Sequence, residues 1–165
     1  MIVIVAGIAG SGKTTVGERL ARRLGCEFAD GDRFHTLAAV AKMRSGVPLT
    51  DDDRWPWLDA IGAWIDREDA AGRSAVVACS ALKRSYRERL LAGRPEVRMA
   101  FLVIGHDADN ARLRARYGHF FPEKLLDSQF AVLEQPEPSE GVALIPATGT
   151  PDQTVDEILR DLGLG

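Results

Sequence analysis

The sequence predicts an α/β fold of three layers, with a central parallel sheet of about five strands and helices on both faces. Three observations carry that reading. Short apolar runs alternate with longer amphipathic stretches along the whole chain. The first run, Ile2-Val3-Ile4-Val5-Ala6, is unbroken and β-branched, as suits a strand covered on both faces. A glycine-rich loop then joins that strand directly to a helix.

The elements follow in order. Residues 13–24 place Val16, Leu20 and Leu24 at helical spacing, and Gly25 closes the helix. Glu27-Phe28-Ala29 is a weak second strand. Residues 36–45 read as a helix stopped by Gly46, and residues 54–71 as another, capped upstream by Thr50 to Asp53. Ala75-Val76-Val77-Ala78-Cys79 is the next buried strand, followed by a basic helix over 81–92. Met99 to Ile104 is a further strand, with a helix over 108–117 behind it and Asp107 as its N-cap. A last strand over 142–146 precedes Thr150-Pro151-Asp152-Gln153. That tetrapeptide sets a cap residue, a proline at the first helical position and a glutamine at the third, so a helix runs over 151–162. No repeat, low-complexity tract or linker interrupts this order, and residues 1–165 read as one domain.

Composition narrows the function classes. Of 165 residues, 45% are hydrophobic and 27% charged, ordinary globular proportions that exclude a disordered or fibrous chain. That length can bury a sizeable core without disulfides. A net charge of -3 gives no support to nucleic-acid binding, which calls for a clustered basic excess, yet leaves room for a local anion site. Cys26 and Cys79 lie in apolar stretches and read as reduced, buried thiols. The apolar start lacks the basic flank and length of a signal peptide. No stretch reaches the ~20 apolar residues of a membrane span. A cytoplasmic protein with neither membrane nor nucleic-acid partner is expected.

Gly7-Ile8-Ala9-Gly10-Ser11-Gly12-Lys13-Thr14 matches G-x-x-x-x-G-K-[ST] at every fixed position. Glycines permit a tight turn that aims successive N–H groups into one concavity, where phosphate oxygens bind. The helix beginning at Lys13 adds its positive N-terminal end. Lys13 then neutralises the β- and γ-phosphates of ATP, and Thr14 offers a hydroxyl to Mg²⁺. So short a pattern also arises by chance as a glycine-rich turn. The strand before it and the helix after it supply the context a phosphate loop requires, and the fold is therefore that of a P-loop NTPase.

Three further segments bear on the fate of the phosphate. Asp30-Gly31-Asp32 follows the second strand, at the sheet edge where ligands of open parallel sheets bind. Its carboxylates can serve two neighbours, Asp30 a metal and Asp32 an acceptor hydroxyl, or can form a solvated acidic turn. The stretch Cys79-Ser80-Ala81-Leu82-Lys83-Arg84-Ser85-Tyr86-Arg87 opens a helix at the same edge. Lys83, Arg84 and Arg87 make a basic cluster suited to an anionic substrate, or else a solvated helix face. Arg112 and Arg116 lie i, i+4 on a helix that ends at Gly118. Such arginines stabilise a loose phosphoryl-transfer transition state, or coat a surface helix above an aromatic loop. No guanine-reading Asn-Lys-x-Asp is present, which disfavours a regulatory GTPase. Together these features point to an ATP-dependent small-molecule kinase.

The same segments resemble the small gluconate kinases, or gluconokinases, of the shikimate-kinase-like and nucleoside-monophosphate-kinase-like P-loop group. The resemblance spans nearly the whole chain. It rests on the phosphate loop, on Asp30-Gly31-Asp32 with His35, and on Lys42-Met43. It rests most specifically on Gly46 to Leu58, with its Asp51-Asp52-Asp53-Arg54-Trp55-Pro56-Trp57-Leu58, and on Cys79 to Arg87. Gly118-His119-Phe120-Phe121, Ser128-Gln129-Phe130 and Leu133-Glu134-x-Pro136 complete it. Ala9 stands where serine is common in the family, and Thr36 where proline is usual. The acidic run Asp51 to Asp53 serves equally as a helix cap and as part of a substrate loop.

The resemblance implies transfer of the γ-phosphoryl of ATP to D-gluconate, with Mg²⁺, by a homodimer. It implies a substrate-binding helical region over about 36–72, a lid over about 116–130, and a loop from Ala147 to Thr150 beside the adenine. Lys13, Asp32 and Arg116 are then the catalytic residues. The nucleotide set comprises Gly7, Ile8, Ala9, Gly10, Ser11, Gly12, Lys13, Thr14 and Thr15, with Arg112 and Arg116. Thr14 and Asp30 hold the metal. Asp32, His35, Arg54, Lys83, Arg87 and His119 surround the substrate, and which basic residue takes the carboxylate stays open. A same-fold kinase for another small acid such as shikimate, and a nucleotide-binding regulator without turnover, are the rival readings.

Overall fold

All five strands of the sheet run parallel, in the order β2-β3-β1-β4-β5. They are β1 (Ile2–Ala6), β2 (Glu27–Asp30), β3 (Ala75–Cys79), β4 (Val97–Val103) and β5 (Ala143–Pro146). The computed structural model describes residues 1–105 and 123–165; the helix expected over 108–117 and its cap Asp107 lie outside them. The described helices are α1 (Lys13–Leu24), α2 (Leu37–Arg44), α3 (Asp51–Ala70), α4 (Arg84–Leu91), α5 (Glu123–Val132) and α6 (Pro151–Asp161).

The central strand shows why its sequence carries no polar residue. Ile2, Ile4 and Ala6 join one apolar layer with Trp57, Ile61 and Ile65 of α3 and Leu90 of α4. Val3 and Val5 join the opposite layer with Val16 and Leu20 of α1 and Val155 and Ile158 of α6. A strand with helices on both faces has no face left for water. Cys79 belongs to the first layer and Cys26 borders the second, and both are free thiols. Among the described residues no helix is long and apolar enough to cross a membrane.

Two helices begin three residues away from their expected starts, each for a local reason. α3 starts at Asp51, three residues ahead of the expected 54, because Thr50 and Asp53 close a capping box. The Thr50 hydroxyl accepts from the Asp53 N–H at 3.2 Å, and the Asp53 carboxylate accepts from the Thr50 N–H at 2.9 Å. α4 starts at Arg84 and not at 81, since Ala81 takes a left-handed backbone (φ 43) and Lys83 is extended as the N-cap. The box expected at Thr150 and Gln153 is present and starts α6 at Pro151. Short 3-10 turns over Gly31–Phe34 and Pro138–Glu140, and α5 itself, are additions to the expected elements.

Candidate active site

Parallel strands deliver every strand's carboxyl end to one edge, and the candidate residues gather there. The phosphate loop leaves β1, Asp30 ends β2, and Ser80 follows β3; Asp30 is in register with Ala78, and Ala6 with Cys79. A backbone bond from Gly7 N–H to the Ser80 carbonyl, 3.3 Å, ties the loops after β1 and β3 together. Gly7 admits no side chain: its φ is +147, and a Cβ would come within 2.7 Å of Ser11 Oγ and 3.1 Å of the Leu102 carbonyl.

Inside the loop, the Ile8 carbonyl is a hub. It accepts from Ser11 Oγ at 2.7 Å and from Lys13 Nζ at 3.3 Å, and Ser11 is fully buried. The Ala9 N–H donates to the side-chain oxygen of Gln129 on α5, at 2.6 Å. α1 begins behind Gly12, which has no side chain to cap it. Its first-turn amides therefore keep the positive end that attracts an anion. Thr14 and Thr15 lie on that first turn.

Opposite the loop, Asp30 caps the 3-10 turn by accepting the Asp32 N–H at 2.9 Å. Gly31 lies so close to β3 that a Cβ would fall 2.3 Å from the Ala78 carbonyl oxygen. Its own carbonyl accepts the Trp57 indole N–H at 2.8 Å. His35 stacks on Trp57, with ring centres 4.4 Å apart and planes within 12°. Burial pushes the His35 pKa down and the charge of Arg54 adds to the effect, while Asp32 opposes both. The imidazole is thus favoured in its neutral form, with a carboxylate and a guanidinium near enough to act on it. Its Nδ1 is buried with no hydrogen-bond partner among the described residues.

The cluster continues through Arg54, whose Nη1 donates to the Tyr86 hydroxyl at 2.9 Å. That hydroxyl donates in turn to Asp51, which also accepts Lys83 Nζ at 3.0 and 3.1 Å. The Tyr86 bond, then Lys83, hold Asp51 below the usual carboxylate range, and Asp51 raises the Lys83 ammonium. Beneath this edge, burial pushes the Cys79 thiol up to about 12, so it is neither nucleophile nor ligand at neutral pH. Among the described residues no three His, Cys, Asp or Glu side chains gather to hold a metal unaided.

An AAA domain family model matches residues 2–136. A gluconokinase of Gluconobacter oxydans is 43% identical over 158 residues, covering 96% of this chain and 89% of the relative. The chain belongs to the gluconokinase family. A gluconokinase crystal structure from Sinorhizobium meliloti superposes with a TM-score of 0.88 at 39% identity, covering 98% of this chain and 90% of that one. Shikimate kinase from Aquifex aeolicus, at a TM-score of 0.62 and 19% identity over 99% and 96% of the two chains, shares the fold alone.

In this gluconokinase-family chain, Asp32, His35, Arg54 and Lys83 do come together at the edge that carries the phosphate loop. Arg87, expected beside the substrate, does not join them. It is fully buried, its guanidinium grips both oxygens of Glu140 at 2.7 and 3.0 Å, and Nη1 donates to the Ala81 and Leu82 carbonyls. Arg84 of the same basic cluster turns outward to Glu88 and Glu137. Arg112, Arg116 and His119 lie outside the described residues. Asp51 and Tyr86 join this cluster through hydrogen bonds that spacing alone could not assign. Gln129 carried a signal only as part of Ser128-Gln129-Phe130, with no role attached.

Proposed function

We propose that this gluconokinase-family chain transfers the γ-phosphoryl of ATP to D-gluconate, giving 6-phospho-D-gluconate. The observation that supports it most is the shared edge: an anion cradle lies beside a paired set of carboxylate, imidazole and cationic groups. The loop over Gly7 to Thr15 holds the phosphates, chiefly through the first-turn amides of α1, and Lys13 exchanges the Ile8 carbonyl for the γ-phosphoryl. Thr14 and Asp30 would hold Mg²⁺, and the ion would supply neutralising charge to the phosphates.

On the acceptor side, Asp32 orients the attacking hydroxyl and takes its proton. Neutral His35 offers a ring nitrogen to a neighbouring hydroxyl. Lys83 and Arg54 draw the substrate carboxylate, and Asp51 and Tyr86 keep both cations in place. The region over 36–72 holds the acceptor, the segment over 116–130 acts as lid, Arg112 and Arg116 serve the nucleotide and His119 the substrate, and Ala147 to Thr150 borders the adenine. Family resemblance supports those assignments, as it supports a cytoplasmic homodimer.

The test is turnover on an acceptor panel. A site built to pair a carboxylate and a row of hydroxyls rejects compounds that leave its polar groups unfilled. Gluconate should exceed glucose and shikimate in kcat/KM by at least ~10²-fold. Comparable rates on all three would sink the gluconate assignment, and ATP binding without ADP release on any acceptor would sink the kinase reading.

A further inference from the structure

We propose that Gln129 is a positioning residue for phosphoryl transfer, which holds one peptide plane of the phosphate loop and through it aims Lys13. The inference rests on the kinase reading above. The plane is the one between Ile8 and Ala9. Its N–H donates to Gln129 Oε1 at 2.6 Å, and its carbonyl accepts Ser11 Oγ at 2.7 Å and Lys13 Nζ at 3.3 Å. A peptide unit is rigid, and in the trans form its N–H and C=O point opposite ways. Holding the N–H from one side therefore fixes the direction of the carbonyl on the other. With Gln129 gone, no hydrogen bond among the described residues holds the plane from its N–H side. A rotated plane takes the resting point of Lys13 away from the cradle.

The rest of the segment is built to deliver that contact. Phe130 and Leu133 pack against Ile8 and Leu82, the N–H of Glu134 donates to the Leu82 carbonyl at 2.9 Å, and its carboxylate accepts the Arg84 N–H at 2.8 Å. One short stretch is thus fastened both to the phosphate loop and to the loop that presents Lys83. The choice of side chain fits the task. Glutamine supplies an acceptor without charge, whereas a carboxylate at this place would repel the phosphates that the loop binds.

The experiment compares the full chain with Gln129→Met, which keeps length and apolar bulk but lacks a good acceptor, and Gln129→Glu, which keeps the acceptor oxygen. Amide exchange at Ala9 is read in nucleotide-free protein, together with the ATP dissociation constant and kcat/KM for ATP. In Gln129→Met, Ala9 should lose protection, and ATP affinity and kcat/KM should each fall about tenfold, the scale of one lost hydrogen bond. Gln129→Glu should keep the Ala9 protection. Unchanged Ala9 exchange in Gln129→Met, or ATP affinity equal to or tighter than wild type, overturns the proposal; the tighter case would mean that Gln129 merely occupies the place of a phosphate. Wild-type protein that phosphorylates no acceptor would overturn the kinase reading instead, and the Ala9 exchange and ATP affinities would still decide the role of Gln129.

Discussion

Lys83 and Asp51 form a 3.0 Å ion pair that joins the start of α4 to the start of α3. The Tyr86 hydroxyl donates to the same carboxylate, so one aspartate anchors the cation expected to meet the substrate. Lys83→Ala should lower kcat/KM for gluconate by at least ~10-fold, the loss expected of a charged hydrogen bond, and leave glucose turnover and ATP affinity unchanged. The preference for gluconate over glucose then narrows. An equal loss on both acceptors would place Lys83 outside the carboxylate site.

Lys13→Ala should leave a folded protein and nearly abolish transfer. The side chain is half-exposed at a loop–helix junction and fills no core volume, so melting should change little. In the proposed reaction its ammonium meets charge that develops in the transition state, so kcat should fall by orders of magnitude. Retention of more than about a tenth of wild-type turnover would remove Lys13 from the catalytic set.

Arg87 and Glu140 should behave as a fold element. Removing one partner leaves the other charge buried, and Arg87→Ala should cost about 3–5 kcal/mol in denaturant unfolding. Replacing both by apolar residues, Arg87→Met with Glu140→Leu, should recover most of that loss. An Arg87→Ala protein with wild-type stability and weakened gluconate binding would return Arg87 to the substrate site.

Stability should fall on mild acidification through His35. Burial depresses its pKa, so the unfolded chain takes up a proton before the folded one does. Stability therefore rises with pH between the depressed value and the ordinary ~6.5, and declines as pH drops through that window. His35→Gln should flatten this part of the profile, measured by urea unfolding at a series of pH values. Superimposable wild-type and variant profiles would show that His35 is not the group responsible.

The sheet and the phosphate loop were legible because their signals are local. β1, α1 and β3 follow from uninterrupted apolar runs and helical spacing, and the start of α6 follows from Thr150 and Gln153. The misreadings arise where the deciding partner is remote. Nothing near Arg87 announces a carboxylate 53 residues away, so its charge reads as exposed or ligand-facing. Gln129 meets Ala9 across 120 residues and is equally silent. The start of α4 depends on the left-handed backbone of Ala81, a conformation that alanine rarely takes and does not advertise.

The three tryptophans of the chain, Trp55, Trp57 and Trp64, all lie on α3. Intrinsic fluorescence therefore views this protein from a single helix, the one that also carries Asp51 and Arg54. Trp57 is the most informative emitter, since its ring lies against His35 and its N–H is bound to Gly31 between the two aspartates. Occupancy of the acceptor side can be followed by emission without any label, while events confined to the nucleotide cradle should be nearly dark.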